Sequence, residues 1–194
     1  MDAAAKEAAA ARFLREYPQA GQAEGDYPAL VGCADVDWSQ IPGCPAGIPV
    51  LLRGLLDQAA GPEALRVLGN VLMNSIFHLS AAMPTALPFL IRLAAVPDIA
   101  VRPGLVELLA HVAELSRPVD EGQAGLFGNE RDHPEPEWCR AAFAIHASEL
   151  LALLEDESLP DGLLSADDRE CLLKAVNHSE PPPESRRSAL VRPV

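Results

Sequence analysis

The sequence contains Ile48-Pro49-Val50-Leu51-Leu52-Arg53-Gly54-Leu55-Leu56 and, thirty-nine residues further on, Leu87-Pro88-Phe89-Leu90-Ile91-Arg92-Leu93-Ala94-Ala95. The two stretches align proline on proline and arginine on arginine, with apolar residues between them. An internal period near forty residues with helical patterning is typical of stacked helix pairs. Each unit of such a stack buries its apolar face against a neighbour. The pattern therefore predicts an all-α fold, an α-solenoid of about three antiparallel helix pairs.

Apolar residues at helical spacing continue this pattern along the chain. The predicted helices cover residues 3–16, 46–58, 62–79 and 84–96, then a stretch up to 116, then 138–156 and 166–177. Asp2 is the expected N-cap of the first helix, which we predict to be an N-terminal capping helix. Ser165 and Asp168 form a capping box for the last one.

The regular pattern is interrupted between residues 117 and 137, where glycine, proline and charged residues dominate. We interpret this segment as an insertion loop in the third unit, because Glu149–Leu154 resembles the opening of the earlier units. Residues 1–178 are predicted to form one domain, with residues 1–45 as its N-terminal cap and irregular segment. Residues 179–194 contain three consecutive prolines and are expected to be a disordered tail.

The third predicted helix and the turn after it read Ala86-Leu87-Pro88-Phe89-Leu90-Ile91-Arg92-Leu93-Ala94-Ala95-Val96-Pro97-Asp98-Ile99-Ala100-Val101-Arg102. This stretch resembles a HEAT repeat, which has an aspartate in its turn and Val-Arg at the entry to its second helix. The resemblance implies that Asp98 and Arg102 are structural turn residues that bridge adjacent units. Residues 35–116 are also similar to uncharacterised actinobacterial HEAT-like proteins, through Asp37-Trp38, His78 and Pro88-Phe89-Leu90. The resemblance implies a fold and no particular activity.

The net charge of −13 is unevenly distributed along the chain. Residues 118–180 carry fifteen acids and four bases, whereas residues 46–117 carry five of each. Binding to nucleic acid requires positive charge along one face, so we expect no nucleic-acid partner. The acidity indicates either a solvated surface that favours solubility or a basic protein partner.

The chain has no apolar stretch of about 18 residues and no apolar leader at its start. A cytoplasmic protein without a membrane partner is therefore expected. Four cysteines lack the spacing of a metal site or a disulfide framework and are expected to be reduced, although a Cys33–Cys44 disulfide stays open. No catalytic, cofactor or metal motif is present, so we predict a protein that is not an enzyme. His78, at the predicted end of a helix, is interpreted as structural, with a role as ligand or base left open.

The candidate partner-binding residues are Asp132, Glu135, Glu137 and Trp138. They combine clustered acids with an aromatic at the edge of a predicted loop, a position where recognition residues often lie. Trp138 is alternatively a core residue that starts its helix. The predicted function is protein binding, for instance as an acidic inhibitor or immunity protein that masks a basic partner such as a nuclease. Two alternatives remain open: an enzyme of DNA glycosylase type built on a HEAT-like scaffold, and an assembly scaffold.

Overall fold

The structure, a computed structural model, describes residues 1–22, 27–75, 77–118 and 133–177. Within these ranges the chain forms nine α-helices and one two-stranded sheet. The prediction of an all-α class is confirmed. None of the described helices has both the length and the apolar character needed to cross a membrane.

The elements follow the chain in a simple order. The helices are α1 (Ala3–Glu16), α2 (Pro18–Gln22), α3 (Ile48–Gly54), α4 (Gly61–Leu72), α5 (Met83–Ala94), α6 (Arg102–Leu115), α7 (Glu135–Ile145), α8 (Ala147–Leu154) and α9 (Ala166–Asn177). Between α4 and α5 lies an antiparallel hairpin of β1 (Met73–Ser75) and β2 (His78–Leu79). Short 3-10 turns occur at Pro28–Leu30 and Trp38–Gln40.

Consecutive helices pack side by side along the chain. Helix α3 contacts α4, α5 contacts α6, and both α7 and α8 contact α9. Across these pairs α5 contacts α7, and α6 contacts α9. The space between the helices is filled by fully buried aliphatic and aromatic side chains, among them Leu51, Leu68, Leu90, Leu105 and Phe143. One continuous hydrophobic core therefore runs through the described helices.

Helix α1 covers the end of the core formed by α3 and α4. Asp2 caps it as expected, since its Oδ1 accepts the Ala5 N–H at 2.8 Å. Phe13 of α1 is fully buried and stacks on Tyr17, with ring centroids 5.2 Å apart. The ring lies so close to α3 that a Cβ added at Gly54 would stand 2.6 Å from Phe13 Cζ. Glycine at this position is what allows α1 to pack on α3.

The irregular segment after α2 packs onto α5. The buried ring of Trp38 lies 6.1 Å from that of Phe89, centroid to centroid, and its indole N–H donates to the Cys33 carbonyl at 3.0 Å. Arg92 of α5 lies over the ring of Phe89, with its Cζ 4.8 Å from the ring centroid. Its guanidinium donates to the Val31 carbonyl at 3.2 Å. Arg92 therefore links α5 to the irregular segment, through a cation–π contact with Phe89 and hydrogen bonds to Val31.

The predicted helix over residues 62–79 is wrong beyond Leu72. The chain turns there into the hairpin, and the Ser80 N–H donates back to the Leu72 carbonyl at 2.9 Å. Ser75 stabilises the turn, because its hydroxyl accepts the Phe77 N–H at 3.2 Å. Polar side chains that bond to nearby backbone in this way compete with the helical hydrogen bonds. His78 therefore lies in a strand, not at a helix end.

The predicted helix over residues 138–156 consists of two helices. α7 begins at Glu135, fourteen residues before the Glu149 that we took to open the third unit, and ends at Ile145. His146, with φ −101° and ψ 26°, separates it from α8. Helix α5 covers Met83–Ala94, close to the predicted range of 84–96, and Pro88 lies inside it.

Because Phe13 packs closely against Gly54, we expect alanine substitutions at Gly54 and at Gly104 to change the stability of the protein differently. Gly54→Ala forces the buried Phe13 ring to move, so we expect the free energy of unfolding to fall by about 1–3 kcal/mol, as for other overpacked cores. Gly104→Ala is the matched control: its Cβ would also meet an atom at 2.6 Å, but that atom is the end of the half-buried Leu65 side chain. That side chain can turn aside, and alanine is the better helix former by about 0.5–1 kcal/mol. Urea unfolding of both variants measures the difference, and equal stabilities would contradict the packing of α1.

Candidate partner-binding surface

The hairpin is fixed to the body of the protein by a buried lysine. Lys6 of α1 donates from Nζ to Asn74 Oδ1 at 2.9 Å, and Asn74 Nδ2 donates to the Leu79 carbonyl at 3.3 Å. Lys6 is 3% exposed, and burial lowers the pKa of its ammonium group. A buried ammonium group requires hydrogen-bond acceptors, and Asn74 Oδ1 supplies one for Lys6. The two bonds together set the position of the hairpin relative to α1.

The hairpin tip lies against the start of α7. The imidazole rings of His78 and His133 have centroids 5.9 Å apart, with their planes inclined at 59°. The Ser75 hydroxyl lies 2.9 Å from His78 Nδ1 and orients that ring. Phe77, beside it, is 70% exposed, which is high for a large apolar side chain.

Helix α7 presents two exposed apolar side chains on one side. Trp138 is 41% exposed and Ile145 is 77% exposed. Seven residues of α-helix rotate by about 700°, so these two side chains point within about 20° of each other. We call these two side chains, together with Phe77, His78 and His133, the hairpin–α7 surface, because the His78–His133 contact joins the hairpin to the residues just before α7. Exposed apolar residues grouped in this manner mark interaction sites more often than isolated ones do.

The position of Trp138 in its helix is informative. Pro136 and Arg140 are four residues apart, as are Pro49 and Arg53, and Pro88 and Arg92. In this register Trp138 corresponds to Leu51 and Leu90, both of which have no exposed surface. The third stretch with this spacing thus carries a partly exposed tryptophan at the position where the first two carry buried leucines.

The structure places the predicted binding residues in different settings. Glu135 and Glu137 lie in the first turn of α7, where carboxylates interact favourably with the helix dipole, and both are half-buried. Trp138 follows in the same turn, so these three residues are close together. Asp132 lies outside the described residues, as do most of the predicted insertion loop and the predicted tail.

The polar groups of this surface lack the arrangement of a catalytic site. The Ser75–His78 contact spans one hairpin turn, and no carboxylate of the described chain is bonded to the His78 ring. A serine nucleophile requires such a base to be oriented by a third group. Burial raises the pKa of the Cys139 thiol in α7 to about 12, which keeps it protonated and unreactive. In the described ranges no three of the His, Cys, Asp and Glu side chains converge on a possible metal site.

A groove of about 490 Å³ lies at the loop between α8 and α9. Its lining includes apolar residues such as Leu154 and Leu164, the acids Glu155, Glu157 and Asp161, and Arg169. Residues 133–177 as a whole carry ten acids and three bases. This end of the molecule is therefore the more acidic one.

The predicted turn residues differ in what they contact. Arg102 is buried; its Nε donates to the Ala94 carbonyl at 2.8 Å, its Nη1 to Ser158 Oγ at 2.6 Å, and its Nη2 to the Asp156 carboxylate. These bonds join the end of α5, the start of α6 and the turn after α8. Asp98 is exposed and forms no hydrogen bond with the described residues. Asp156, and not Asp98, is the carboxylate that pairs with Arg102.

A comparison of the chain with known protein families, with curated proteins and with solved structures finds no match in any of them. The geometry of the surface must therefore carry any functional conclusion.

The sequence alone does not single out Phe77 and Ile145, because apolar side chains of a predicted helix are expected to face a core. His133 lies in the predicted insertion loop, beside the predicted binding residues. The repeated proline–arginine spacing at Pro136 and Arg140 was the available signal for the true start of α7. No local signal could bring His133 next to His78, because fifty-five residues separate them.

The Arg102–Asp156 contact gives a prediction for acid stability. Hydrogen bonds from Ser158 and from Arg102 lower the pKa of Asp156 to about 2, whereas the unfolded chain has an ordinary value of about 3.9. The stabilising contribution of Asp156 is therefore complete above about pH 5 and is lost as the pH falls through 2. Urea unfolding at pH 6 and pH 3 is expected to show Asp156→Asn less stable than wild type at pH 6, with a smaller difference at pH 3. Ser158→Ala should show a weaker form of the same trend, and a difference that does not depend on pH would contradict the assignment.

Proposed function

We propose that the chain is a protein-binding module of the α-solenoid type, in which three helix pairs stack in succession and α1 caps the first. The pairs are α3 with α4, α5 with α6, and α7–α8 with α9. Two arginines support this order, because Arg102 donates to the last turn of α5 and Arg169 donates to the Leu154 carbonyl at the end of α8 at 2.6 Å. In the second and third pairs, the second helix thus bonds to the end of a helix that precedes it in its own pair.

The partner binds at the hairpin–α7 surface in this proposal. The observation that carries it is the exposed tryptophan at a repeat position whose other two members are core leucines. An aromatic ring that is half uncovered beside further exposed apolar side chains is the composition of a binding hot spot. Phe77 and Ile145 add two further exposed apolar side chains, 70% and 77% exposed, from the hairpin and from α7.

The partner is a basic protein. Glu135 and Glu137 lie in the same turn as Trp138, and the groove between α8 and α9 is lined by further acids in the same part of the sequence. Complementary charge raises the rate of association and selects among partners. An inhibitor or immunity protein that masks a basic enzyme, such as a nuclease, fits this combination. The alternative function, an assembly scaffold, differs from an inhibitor of this kind only in that its partner is not basic.

An enzyme that acts on nucleic acid has less support. In the described ranges the basic side chains, apart from Arg15 and Arg117, each donate a hydrogen bond or ion pair within the chain. Arg53, for instance, donates to the Gly21 carbonyl at 3.3 Å and Arg140 to the Ser116 carbonyl at 2.6 Å. Phosphate binding requires cations that are available to the ligand, and it dominates the affinity of DNA-binding proteins.

Truncation of the tryptophan tests the binding surface. Trp138→Ala removes a hot-spot side chain, so we expect an affinity for the partner about 30-fold weaker, equivalent to about 2 kcal/mol. The partner is first identified by affinity capture on the wild-type chain with mass spectrometry, and the affinity is then measured by surface plasmon resonance. Val31→Ala is the matched control, since Val31 is also an exposed apolar residue but lies on the segment that covers α5.

The charge complementarity is tested separately with Glu135→Gln and Glu137→Gln. The expected result is slower association and a weaker dependence on salt, because the steering charges are reduced. Asp167→Asn, an exposed acid in α9, is the control for total charge. Binding that is unchanged in Trp138→Ala, a captured set of acidic proteins, or retardation of duplex DNA at low salt would each count against the proposal.

A further inference from the structure

Two histidines from distant parts of the sequence meet at the hairpin tip. The ring centroids of His78 and His133 are 5.9 Å apart, and the fold rather than the local sequence brings them together. Both side chains are exposed, so solvent and small ions reach them. Such a pair is a common basis for binding a transition-metal ion, because imidazole is among the favoured ligands of Zn²⁺, Ni²⁺ and Cu²⁺.

The hydrogen bonds leave ligand nitrogens available. Ser75 Oγ lies 2.9 Å from Nδ1 of His78, and within the described chain Nε2 of that ring has no hydrogen bond. His133 has no hydrogen bond to any described residue through either nitrogen. Histidines that bind metals usually have their second nitrogen fixed by a partner of this kind, which sets the orientation and the protonation of the ring. Ser75 occupies that role for His78.

The support beneath His78 is firm. Asn74 Nδ2 donates a hydrogen bond across the hairpin to the Leu79 carbonyl, and Lys6 Nζ donates one to Asn74 Oδ1. The His78 ring is therefore carried by a hairpin that hydrogen bonds fix to α1. A ligand on such an element loses less conformational freedom when the ion binds.

We propose that His78 and His133 together bind one divalent transition-metal ion of the borderline class, such as Zn²⁺ or Ni²⁺. Two imidazoles that ligate one ion at about 2.0–2.1 Å in tetrahedral geometry have ring centroids about 5 Å apart. The observed 5.9 Å needs only a small rotation of exposed side chains to reach that value. His78 and His133 also belong to the hairpin–α7 surface, but the metal site does not require a protein partner, since it concerns two side chains and a free ion.

The site has two protein ligands, and water completes the coordination. No group of three or more ligand side chains exists in the described ranges, so the affinity is lower than that of a closed structural zinc site. The cysteines compete poorly, because a metal binds the thiolate and burial raises the pKa of Cys44 to about 11. The net charge of −13 favours a cation at the surface in general.

Titration of the tag-free full-length chain with NiCl₂ and with ZnCl₂ tests the proposal. Isothermal titration calorimetry is expected to show one equivalent of saturable binding, and the melting temperature should rise with the ion, since only the folded chain joins the two rings. His78→Asn and His133→Asn should each weaken the affinity at least tenfold and remove the rise in melting temperature. His111→Asn is the matched control, because His111 is an exposed histidine of α6 outside this pair.

Three results would overturn the metal site. They are saturable binding that persists in both His78→Asn and His133→Asn, an equal loss of binding in His111→Asn, and no saturable binding of either ion. Circular dichroism of each variant confirms that the helices remain folded, so that a loss of binding reports on the ligands. None of these measurements involves a protein partner, and they leave the proposal for the hairpin–α7 surface untouched.

Discussion

Burial of α5 is the constraint on which the rest of the structure depends. Leu87, Leu90 and Ile91 of this helix have no exposed surface, and α6, α7, α8 and the turn at Pro28–Leu30 all contact it. Burying each such side chain contributes about 1.5–3 kcal/mol. Pro88 inside the helix removes one backbone hydrogen bond, at a cost of about 3 kcal/mol. The cost is offset because the helix is surrounded on most sides, so the proline is tolerated where an isolated helix would break.

Arginines fix the irregular chain around this apolar centre. Arg53, Arg92 and Arg140 each follow a proline by four residues, and each donates to a backbone carbonyl of another segment. Carbonyls in turns and at the ends of helices lack a helical donor, and these arginine side chains supply one. Because these three arginines bond to carbonyls of the chain itself, the acidic side chains dominate the charge of the surface. The arginine–carbonyl hydrogen bonds that stabilise the fold therefore also leave the surface acidic.

The sequence was sufficient where local patterns decide the structure. The period of thirty-nine residues located α3 and α5, since their apolar residues follow the helical repeat, and the capping residues Asp2 and Ser165 marked two helix starts. It failed at the hairpin, because Leu72 and Leu79 continue the helical spacing, whereas the turn is stabilised by hydrogen bonds of Ser75 and by the distant Lys6. Nor could it settle Trp138, whose aromatic ring suits a core as well as a binding surface. The exposure of that ring depends on which helices lie beside α7.

Native-state hydrogen exchange tests the central role of α5 most directly. If the other helices depend on it, the amide protons of Leu90 and Ile91 exchange only through global unfolding and are among the slowest in the chain. The amides of α1 and α8, at the margins, exchange faster through local opening. Exchange of the α5 amides at the rate of α1 or faster would contradict the dependence of the fold on this helix.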